Sequence, residues 1–309
     1  MIFIGYPHRR RAVPFRLVLP SLLTTIALCS GLASIHFSLK AGGHAAVAAA
    51  SVAAGDLAAA VARDLAAAAA DRNWEKALAC IFLSAVFDML DGRAARLLKA
   101  QSPFGAVLDS LSDFLCFGVA PGLLLHQWTL SDCTVFGRKA DALGLAAVMT
   151  YILCAALRLA RFTAAARVVK LAPGVPPPPE PRPPGPHATH FFVGLPSPAA
   201  AGAVLIPPML AVAAFPHYAT PDYLVVPYTL LIAGLMIGRQ HMFSFKKVRI
   251  PRRWVVPFLV LIGLGVVGIA KFPFLTVALL CGGYLLTTPL SISTHRRLQA
   301  RSAPETTRT

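Results

Sequence analysis

Acidic residues are scarce in this chain, with 13 Asp and Glu among 309 residues, and charged residues of both signs make up only 14%. Hydrophobic residues reach 56%, and the mean hydropathy is +0.65. A soluble domain of this length carries more charge and fewer apolar residues. The composition therefore argues against a soluble enzyme and against the secreted, disordered and fibrous classes.

Cysteines are also few, and their placement does not favour cross-links or metal sites. The chain has no CxxC pair, and of its six cysteines only Cys133 falls in a predicted loop. The other five lie in apolar stretches: Cys29, Cys80, Cys116, Cys154 and Cys281. We therefore expect neither disulfides nor a zinc site.

Basic residues are plentiful but dispersed, and give a formal net charge of +16. They occur in short runs between apolar stretches rather than in one patch, so the predicted partner is a lipid bilayer and not a nucleic acid. The apolar stretches are each close to the ~20 residues that a helix needs to cross a membrane. The eight candidate spans are 17–39, 75–98, 105–127, 140–163, 195–215, 221–242, 254–270 and 273–290. The predicted fold is an all-α integral membrane protein, a polytopic bundle of about eight transmembrane helices.

The distribution of charge between the loops predicts the topology. If the N-terminus is cytoplasmic, 22 of the 29 Lys and Arg residues lie on the cytoplasmic side, as the positive-inside rule requires. We therefore expect a multi-pass protein of the cell (cytoplasmic) membrane with both termini in the cytoplasm. A cleaved signal peptide is the alternative for the N-terminal region, but its apolar run is longer than a signal sequence needs.

Two segments differ from the rest in composition. Residues 41–74 are rich in alanine with scattered charges, which predicts a helical excursion outside the membrane, and we assign it no chemistry. Residues 173–187 are mostly proline, which excludes helix and paired strand and predicts an extended cytoplasmic loop that serves as a spacer.

Four carboxylates interrupt two of the predicted spans: Asp88, Asp91, Asp109 and Asp113. An ionised Asp at membrane depth costs about 2.5–3.5 kcal/mol even on the lenient insertion scale, so a function is the default explanation. The helical spacing puts the first two on one face and the last two on one face. A short turn, Gln101 to Phe104, separates the two helices, so these faces can meet in an antiparallel hairpin.

Four carboxylates that close together would repel strongly unless cations lie between them. Ligands that are all oxygen favour hard ions, so we predict two Mg²⁺ or Mn²⁺ ions at this position. Gly92, Ala95 and Gly105 leave room beside them, and Arg96 can give two hydrogen bonds to a diphosphate. The alternatives are a buried salt-bridge network with Arg93, Arg96 and Arg161, or a pathway for ions or protons.

The same residues form a recognisable pattern. Asp88-x-x-Asp91-Gly92-x-x-Ala95-Arg96, eight residues, then Gly105-x-x-x-Asp109-x-x-x-Asp113 resembles the signature of the CDP-alcohol phosphatidyltransferase superfamily at every defined position. Within it, the contexts Leu108 to Asp113, Arg158 to Phe162 and Gly194 to Pro196 resemble the phosphatidylserine synthase branch. The chain departs from that branch at Ser21 and Thr163, where asparagine is usual.

The resemblance implies a reaction and a role for each position. Asp88, Asp91 and Asp109 would ligate the two ions, and Asp113 would complete the second metal site and act as general base. The CDP part of CDP-diacylglycerol would be held by Gly92, Ala95, Arg96 and Gly105. The implied reaction is transfer of the phosphatidyl group to serine at the cytoplasmic side of the membrane, with release of CMP, and the superfamily also suggests a homodimer.

Charge alone suggests a place for the acceptor. Arg158 and Arg161 lie one helical turn apart near the cytoplasmic end of a span, and we assign them to the serine carboxylate, with lipid phosphates as the alternative ligand. Glycerol 3-phosphate or an inositol phosphate is the alternative acceptor, and a cation transporter is the alternative from a different class.

The predicted organisation of the chain follows from the spans and the resemblance. A basic cytoplasmic N-terminus covers 1–16, and a catalytic domain covers 17–250, including the Ala-rich and Pro-rich insertions. Two additional transmembrane helices occupy 251–290, and a basic cytoplasmic tail covers 291–309.

Overall fold

The computed structural model describes residues 15–52, 57–99, 102–130, 134–135, 138–139, 141–171, 191–213, 222–238, 241–243 and 255–302. Within these ranges the architecture is helical, with two small two-stranded sheets. The helices are α1 (Phe15–Val52), α2 (Leu57–Leu97), α3 (Pro103–Phe114), α4 (Ala120–Leu125), α5 (Asp141–Leu171), α6 (Ser197–Val204), α7 (Ile206–Ala213), α8 (Asp222–Ile237), α9 (Val255–Lys271) and α10 (Pro273–Ser302).

The helices α1 and α2 form a long antiparallel hairpin. Near one end the Thr24 hydroxyl contacts the Asp91 carboxylate, and further along the Lys76 ammonium lies 5.6 Å from the centre of the Phe37 ring. Small residues along α1 let the neighbouring helical segments approach closely: Thr24, Ala27, Gly31, Ser34, Ser38 and Ala41 are all buried. The described parts of the Ala-rich stretch, 41–52 and 57–74, continue the hairpin, so the prediction that they are helical is confirmed.

A nearly unbroken helical run leads from α3 to Leu130. Two π-helical turns, Leu115–Val119 and His126–Leu130, flank α4 within it. A side chain at Gly122 would lie 3.0 Å from Ile152, and one at Gly118 would lie 3.1 Å from Ala155. These two glycines therefore allow close packing against α5, as their four-residue spacing predicts.

The segment that leads into α6 is anchored to the end of α8. Gly194 has a φ of +78°, a conformation that favours glycine, and a side chain there would lie 3.0 Å from the Met236 carbonyl oxygen. Leu195 is fully buried, and its amide donates to the Leu235 carbonyl at 3.2 Å. This anchor fixes where α6 begins.

Two short antiparallel sheets were not expected from the sequence. β1 (Thr134–Val135) pairs with β2 (Arg138–Lys139), in the connection between the α3–α4 run and α5. β3 (Phe191–Val193) pairs with β4 (His241–Phe243), so the chain just before α6 is hydrogen-bonded to the chain just after α8. The Pro-rich stretch 173–187 and Cys133 lie outside the described residues.

The predicted spans fall on helical segments, and span 195–215 is divided at Leu205 between α6 and α7. In the described ranges, three helical stretches are long and apolar enough to cross a membrane by length and composition: Val18–Ser51, Pro103–Leu130 and Asp141–Ala164. Three apolar stretches are shorter: Tyr223–Ile237, Val255–Lys271 and Pro273–Thr288. The helix α9 has no buried residue, and its apolar side chains face outward on all sides, as a bilayer would allow.

Candidate active site

The candidate site lies where α2 ends and α3 begins. Lys99 follows α2 with a φ of +47°, a left-handed conformation that turns the chain after the helix. Ser102 then caps α3, because its Oγ accepts a hydrogen bond from the Gly105 amide at 2.9 Å, and Pro103 occupies the first helical position. The cap therefore fixes Gly105 at the entrance of the site.

The hairpin of α2 and α3 brings the predicted carboxylates together. Asp88, Asp91 and Asp109 each offer an oxygen atom, and these oxygens all lie within 4.8 Å of one another. Asp91 is the most deeply placed of the three, with only 3% of its surface exposed. Three oxygens at this separation can surround a small cation.

Asp113 lies one turn beyond Asp109, next to the carboxyl group of Asp88. Its Oδ1 is buried and makes no hydrogen bond within the described residues. A buried carboxylate oxygen with no donor is costly, because it has lost water and gained no partner. The arrangement therefore fits a bound cation at this side of the cluster.

Within the described residues, Arg93, Arg96 and Arg161 form no ion pair with this cluster. The ion pair found there joins Arg63 to Asp64 at 3.1 Å, on the distant half of α2. Arg96 donates instead to the Gly92 carbonyl at 2.9 Å, and Arg161 to the Ile237 carbonyl at 3.2 Å. The alternative of a salt-bridge network with Arg93, Arg96 and Arg161 is therefore not supported, and a set of ligands that is all oxygen fits divalent ions.

The helix α1 supplies a third wall of the site, where Ser21 was expected from the sequence and Thr24 was not. The Thr24 hydroxyl lies 2.5 Å from Asp91 Oδ2 and 3.0 Å from the Pro20 carbonyl oxygen. Ser21 lies beside Gly105, since a side chain on that glycine would be 3.6 Å from the Ser21 Oγ. The available signal was a pair of hydroxyl residues one helical turn apart in an otherwise apolar span.

The residues expected to hold CDP leave an open surface at the end of α2. A side chain added at Gly92 would meet only Arg96, at 3.9 Å, so the space above this glycine is free. The Arg96 side chain is exposed and Ala95 is half-buried beside it. Together with Gly105 across the turn, these residues border a gap next to the carboxylates.

Of the two arginines assigned to the acceptor, Arg158 is the one that reaches the carboxylates. Its guanidinium interacts electrostatically with Asp113, and its Nη1 donates to the Ser197 hydroxyl on α6 at 2.9 Å. The guanidinium also stacks over Phe162 at 4.7 Å, and its Nε is buried without a hydrogen-bond partner among the described residues. Ser197 was not identified from the sequence, because no local pattern links it to α5.

Arg161 and Thr163 make more peripheral contacts. Arg161 is exposed, and its hydrogen bond to Ile237 ties α5 to the end of α8. The Thr163 hydroxyl donates to the Leu159 carbonyl at 2.9 Å within its own helix, so its polar group is already occupied.

The floor of the site is held by the first π-helical turn. The Tyr151 hydroxyl, fully buried on α5, donates to the Phe117 carbonyl at 2.8 Å. The Cys116 thiol donates to the Ala27 carbonyl at 3.4 Å, which ties this turn to α1. These contacts fix the helix that carries Asp109 and Asp113 immediately before the turn, and π-helical turns are often found at functional sites.

Comparison with known proteins agrees with this geometry. Residues 17–238 match the family model of CDP-alcohol phosphatidyltransferases. The chain is 31% identical over 294 residues to the CDP-diacylglycerol–serine O-phosphatidyltransferase of Mycobacterium leprae, which covers 95% of this chain and 80% of that protein. It is 29% identical over 300 residues to the enzyme of the same name from Mycobacterium tuberculosis, covering 96% and 85%.

A shorter similarity comes from an archaeon. The CDP-diacylglycerol–serine O-phosphatidyltransferase of Methanocaldococcus jannaschii is 44% identical over 86 residues, which are 28% of this chain and 38% of that protein. The family model covers more than half of the chain, including the four clustered carboxylates. This chain belongs to the CDP-alcohol phosphatidyltransferase family.

Proposed function

We propose that this protein transfers the phosphatidyl group of CDP-diacylglycerol to the hydroxyl of L-serine, giving phosphatidylserine and CMP. The observation that carries the proposal is the cluster of Asp88, Asp91 and Asp109 oxygens within 4.8 Å, with the buried Oδ1 of Asp113 beside it. The names of the similar proteins support serine as the acceptor.

The carboxylates fit a pair of Mg²⁺ or Mn²⁺ ions, because they supply only oxygen and form no close ion pair within the described residues. We assign Asp88, Asp91 and Asp109 to these ions, with Asp113 completing the second site. Bound ions of this kind neutralise a diphosphate and stabilise the charge that develops on the leaving group.

The open surface at the end of α2 is our proposed binding site for CDP. Gly92 and Ala95 leave space for the nucleotide, and Gly105 borders the same gap from α3. Arg96 is exposed there and can donate hydrogen bonds to the diphosphate. Ser21 lies beside Gly105, on the side of the proposed nucleotide site. We therefore propose that serine in place of the usual asparagine affects the binding of the nucleotide and not of the acceptor.

Asp113 is our proposed general base. Its carboxylate accepts the proton of the serine hydroxyl while the serine oxygen bonds to the phosphorus of the phosphatidyl group. The bond between that phosphorus and the CMP oxygen breaks, and CMP leaves with the bonding electrons. Asp113 has two carboxylate oxygens, so the buried Oδ1 can ligate an ion while the other oxygen accepts this proton.

The position of Arg158 next to Asp113 supports its assignment to the serine carboxylate. It is half-buried and retains donors that no described residue uses. Arg161 is exposed and has one donor engaged at Ile237, so we assign it a smaller contribution to binding of the serine carboxylate.

For the whole molecule we propose eight transmembrane spans with both termini and the active site on the cytoplasmic side. The positions of the helices and the concentration of basic residues in alternate connections support this topology. The cytoplasmic membrane is the proposed location, and the family resemblance supports a homodimer.

An acceptor panel tests the function. Purified full-length protein in detergent is given CDP-diacylglycerol and Mn²⁺ with L-serine, glycerol 3-phosphate or an inositol phosphate in turn. We expect CMP release with serine alone. CMP release with a phosphorylated acceptor would instead assign the chain another alcohol, and Mn²⁺ uptake into proteoliposomes without CMP release would support a cation transporter.

Two single substitutions test the contributions of Arg158 and Arg161 to serine binding separately. Arg158→Ala is expected to raise the serine KM by at least about tenfold, since a charged donor pair to the carboxylate is lost. Arg161→Ala is expected to raise it by about threefold or less, because that side chain lies at the helix end. Serine titrations at saturating CDP-diacylglycerol provide the values, and an unchanged KM in either variant removes that arginine from the acceptor site.

Thr24 is predicted to orient Asp91 for metal binding. Thr24→Val keeps the shape of the side chain but removes the hydroxyl, and we expect about tenfold more Mn²⁺ to be needed for half-maximal activity. Thr25→Val is the matched control, because the Thr25 hydroxyl is exposed and contacts only the Ser21 carbonyl of its own helix. Equal Mn²⁺ requirements in the two variants would contradict the role of Thr24.

A further inference from the structure

The C-terminal helix α10 brings a tyrosine to the proposed acceptor site. Tyr284 is half-buried, and it interacts electrostatically with the Arg158 guanidinium. Its hydroxyl makes no hydrogen bond within the part of the chain that the structure describes, so this donor remains available. The helix lies beyond residues 17–238, the part that matches the family model, so the signature gives no role to this residue.

Close packing between α6 and α10 explains how Tyr284 reaches Arg158. A side chain at Gly202 would lie 2.6 Å from the Cys281 Sγ, so the two helices approach closely only because Gly202 lacks one. Cys281 and Tyr284 are three residues apart and share one face of α10. The helix α6 also carries Ser197, which accepts from Arg158. The α6–α10 interface therefore brings Tyr284 within electrostatic range of the guanidinium that is hydrogen-bonded to Ser197.

The resulting group of side chains is suited to a single negative charge. One guanidinium, with a buried Nε that lacks a partner among the described residues, is hydrogen-bonded to the Ser197 hydroxyl and interacts electrostatically with Tyr284. A carboxylate accepts several such hydrogen bonds and matches the single positive charge. A phosphate monoester carries nearly two negative charges and would need a second cation as well placed as Arg158, whereas Arg161 is exposed and has one donor engaged at Ile237.

We propose that Tyr284 is a specificity-determining residue of the acceptor pocket, whose hydroxyl donates to the acceptor carboxylate that Arg158 binds. This inference rests on the proposed function and extends it to α10. Selection of a small hydroxy amino acid over a phosphorylated alcohol then depends on a helix outside the family signature. Because Asp113 interacts with the same guanidinium, a carboxylate bound there holds the acceptor next to the base.

The test compares Tyr284→Phe with Tyr223→Phe in the full-length protein. Both changes remove one hydroxyl, and Tyr223 is an exposed residue of α8. Serine and CDP-diacylglycerol are titrated separately in the presence of Mn²⁺. We expect Tyr284→Phe to raise the serine KM about tenfold, the usual effect of losing one hydrogen bond to a charged group. The KM for CDP-diacylglycerol and the kcat should remain within about twofold, and Tyr223→Phe should match the wild type.

Two results would overturn the inference. One is an unchanged serine KM in Tyr284→Phe, and the other is a parallel loss for both substrates, which would indicate a packing role. Equal elution volume and equal affinity for CDP establish that the variant is folded. If Tyr284→Phe is not folded, Tyr284→His replaces it in the test, because histidine keeps a ring and a hydrogen-bond donor. The inference then requires that the serine KM of Tyr284→His is no more than about threefold above wild type. Wild-type protein that releases no CMP with serine would contradict the proposed function itself, which is a separate outcome.

Discussion

Asp113→Asn is expected to lower the kcat for CMP release by about three orders of magnitude, because the substituted amide cannot accept the proton of the acceptor hydroxyl. The same variant should be no less stable than the wild type when metal is absent. Asp113 is half-buried next to Asp88 and its buried Oδ1 has no partner among the described residues, so removing its charge relieves repulsion. Single-turnover CMP release and thermal unfolding without metal measure the two effects.

The matched control for this substitution is Asp71→Asn, since Asp71 is exposed on the distant half of α2. It should retain wild-type activity. An Asp113→Asn variant that keeps more than about a tenth of the wild-type kcat would contradict the role of general base, because positioned proton transfer contributes about 10²–10⁴-fold. A variant that loses activity together with stability would indicate a structural role instead.

Removal of divalent ions is expected to reduce CMP release to the uncatalysed background. Without them the carboxylates of Asp88, Asp91 and Asp109, whose oxygens lie within 4.8 Å, repel one another and leave the diphosphate unneutralised. Addition of Mn²⁺ or Mg²⁺ after chelation should restore activity and raise the unfolding temperature, because an ion that binds only the folded state stabilises it.

The control for metal removal is the same titration on Asp91→Asn. This variant should show a smaller rise of the unfolding temperature and need more metal for any remaining activity, since one ligand has been lost. Full CMP release by chelated wild-type protein would contradict the metal site. A rise in stability that is identical in wild type and Asp91→Asn would place the bound ion elsewhere.

The carboxylate cluster was predictable because its spacing is set by helical geometry. Asp88 and Asp91 are three residues apart and Asp109 and Asp113 four apart, so each pair shares a face, and the short turn leaves the two helices little choice but to face each other. Gly118 and Gly122 were likewise interpretable as packing positions. These inferences needed only the covalent chain and the period of the helix.

Contacts between distant segments could not be predicted in this way. Thr24 reaches Asp91 across 67 positions, and Ser197 reaches Arg158 across 39, so no local pattern connects them. The division of span 195–215 at Leu205 and the pairing of β3 with β4 also depend on contacts between segments that are distant in sequence. Hydropathy also measures only composition, and for this reason it cannot settle whether a short helix such as α9 crosses the bilayer.

The anchor before α6 separates the candidate active site from variation in the preceding Pro-rich stretch. Pairing of β3 with β4, together with the buried Leu195 and the tight turn at Gly194, fixes the start of α6 against the end of α8. The position of Ser197 is therefore set by contacts that follow the Pro-rich stretch, whatever its length. We therefore expect that this stretch can be lengthened, shortened or fused to a tag without disturbing the proposed acceptor pocket.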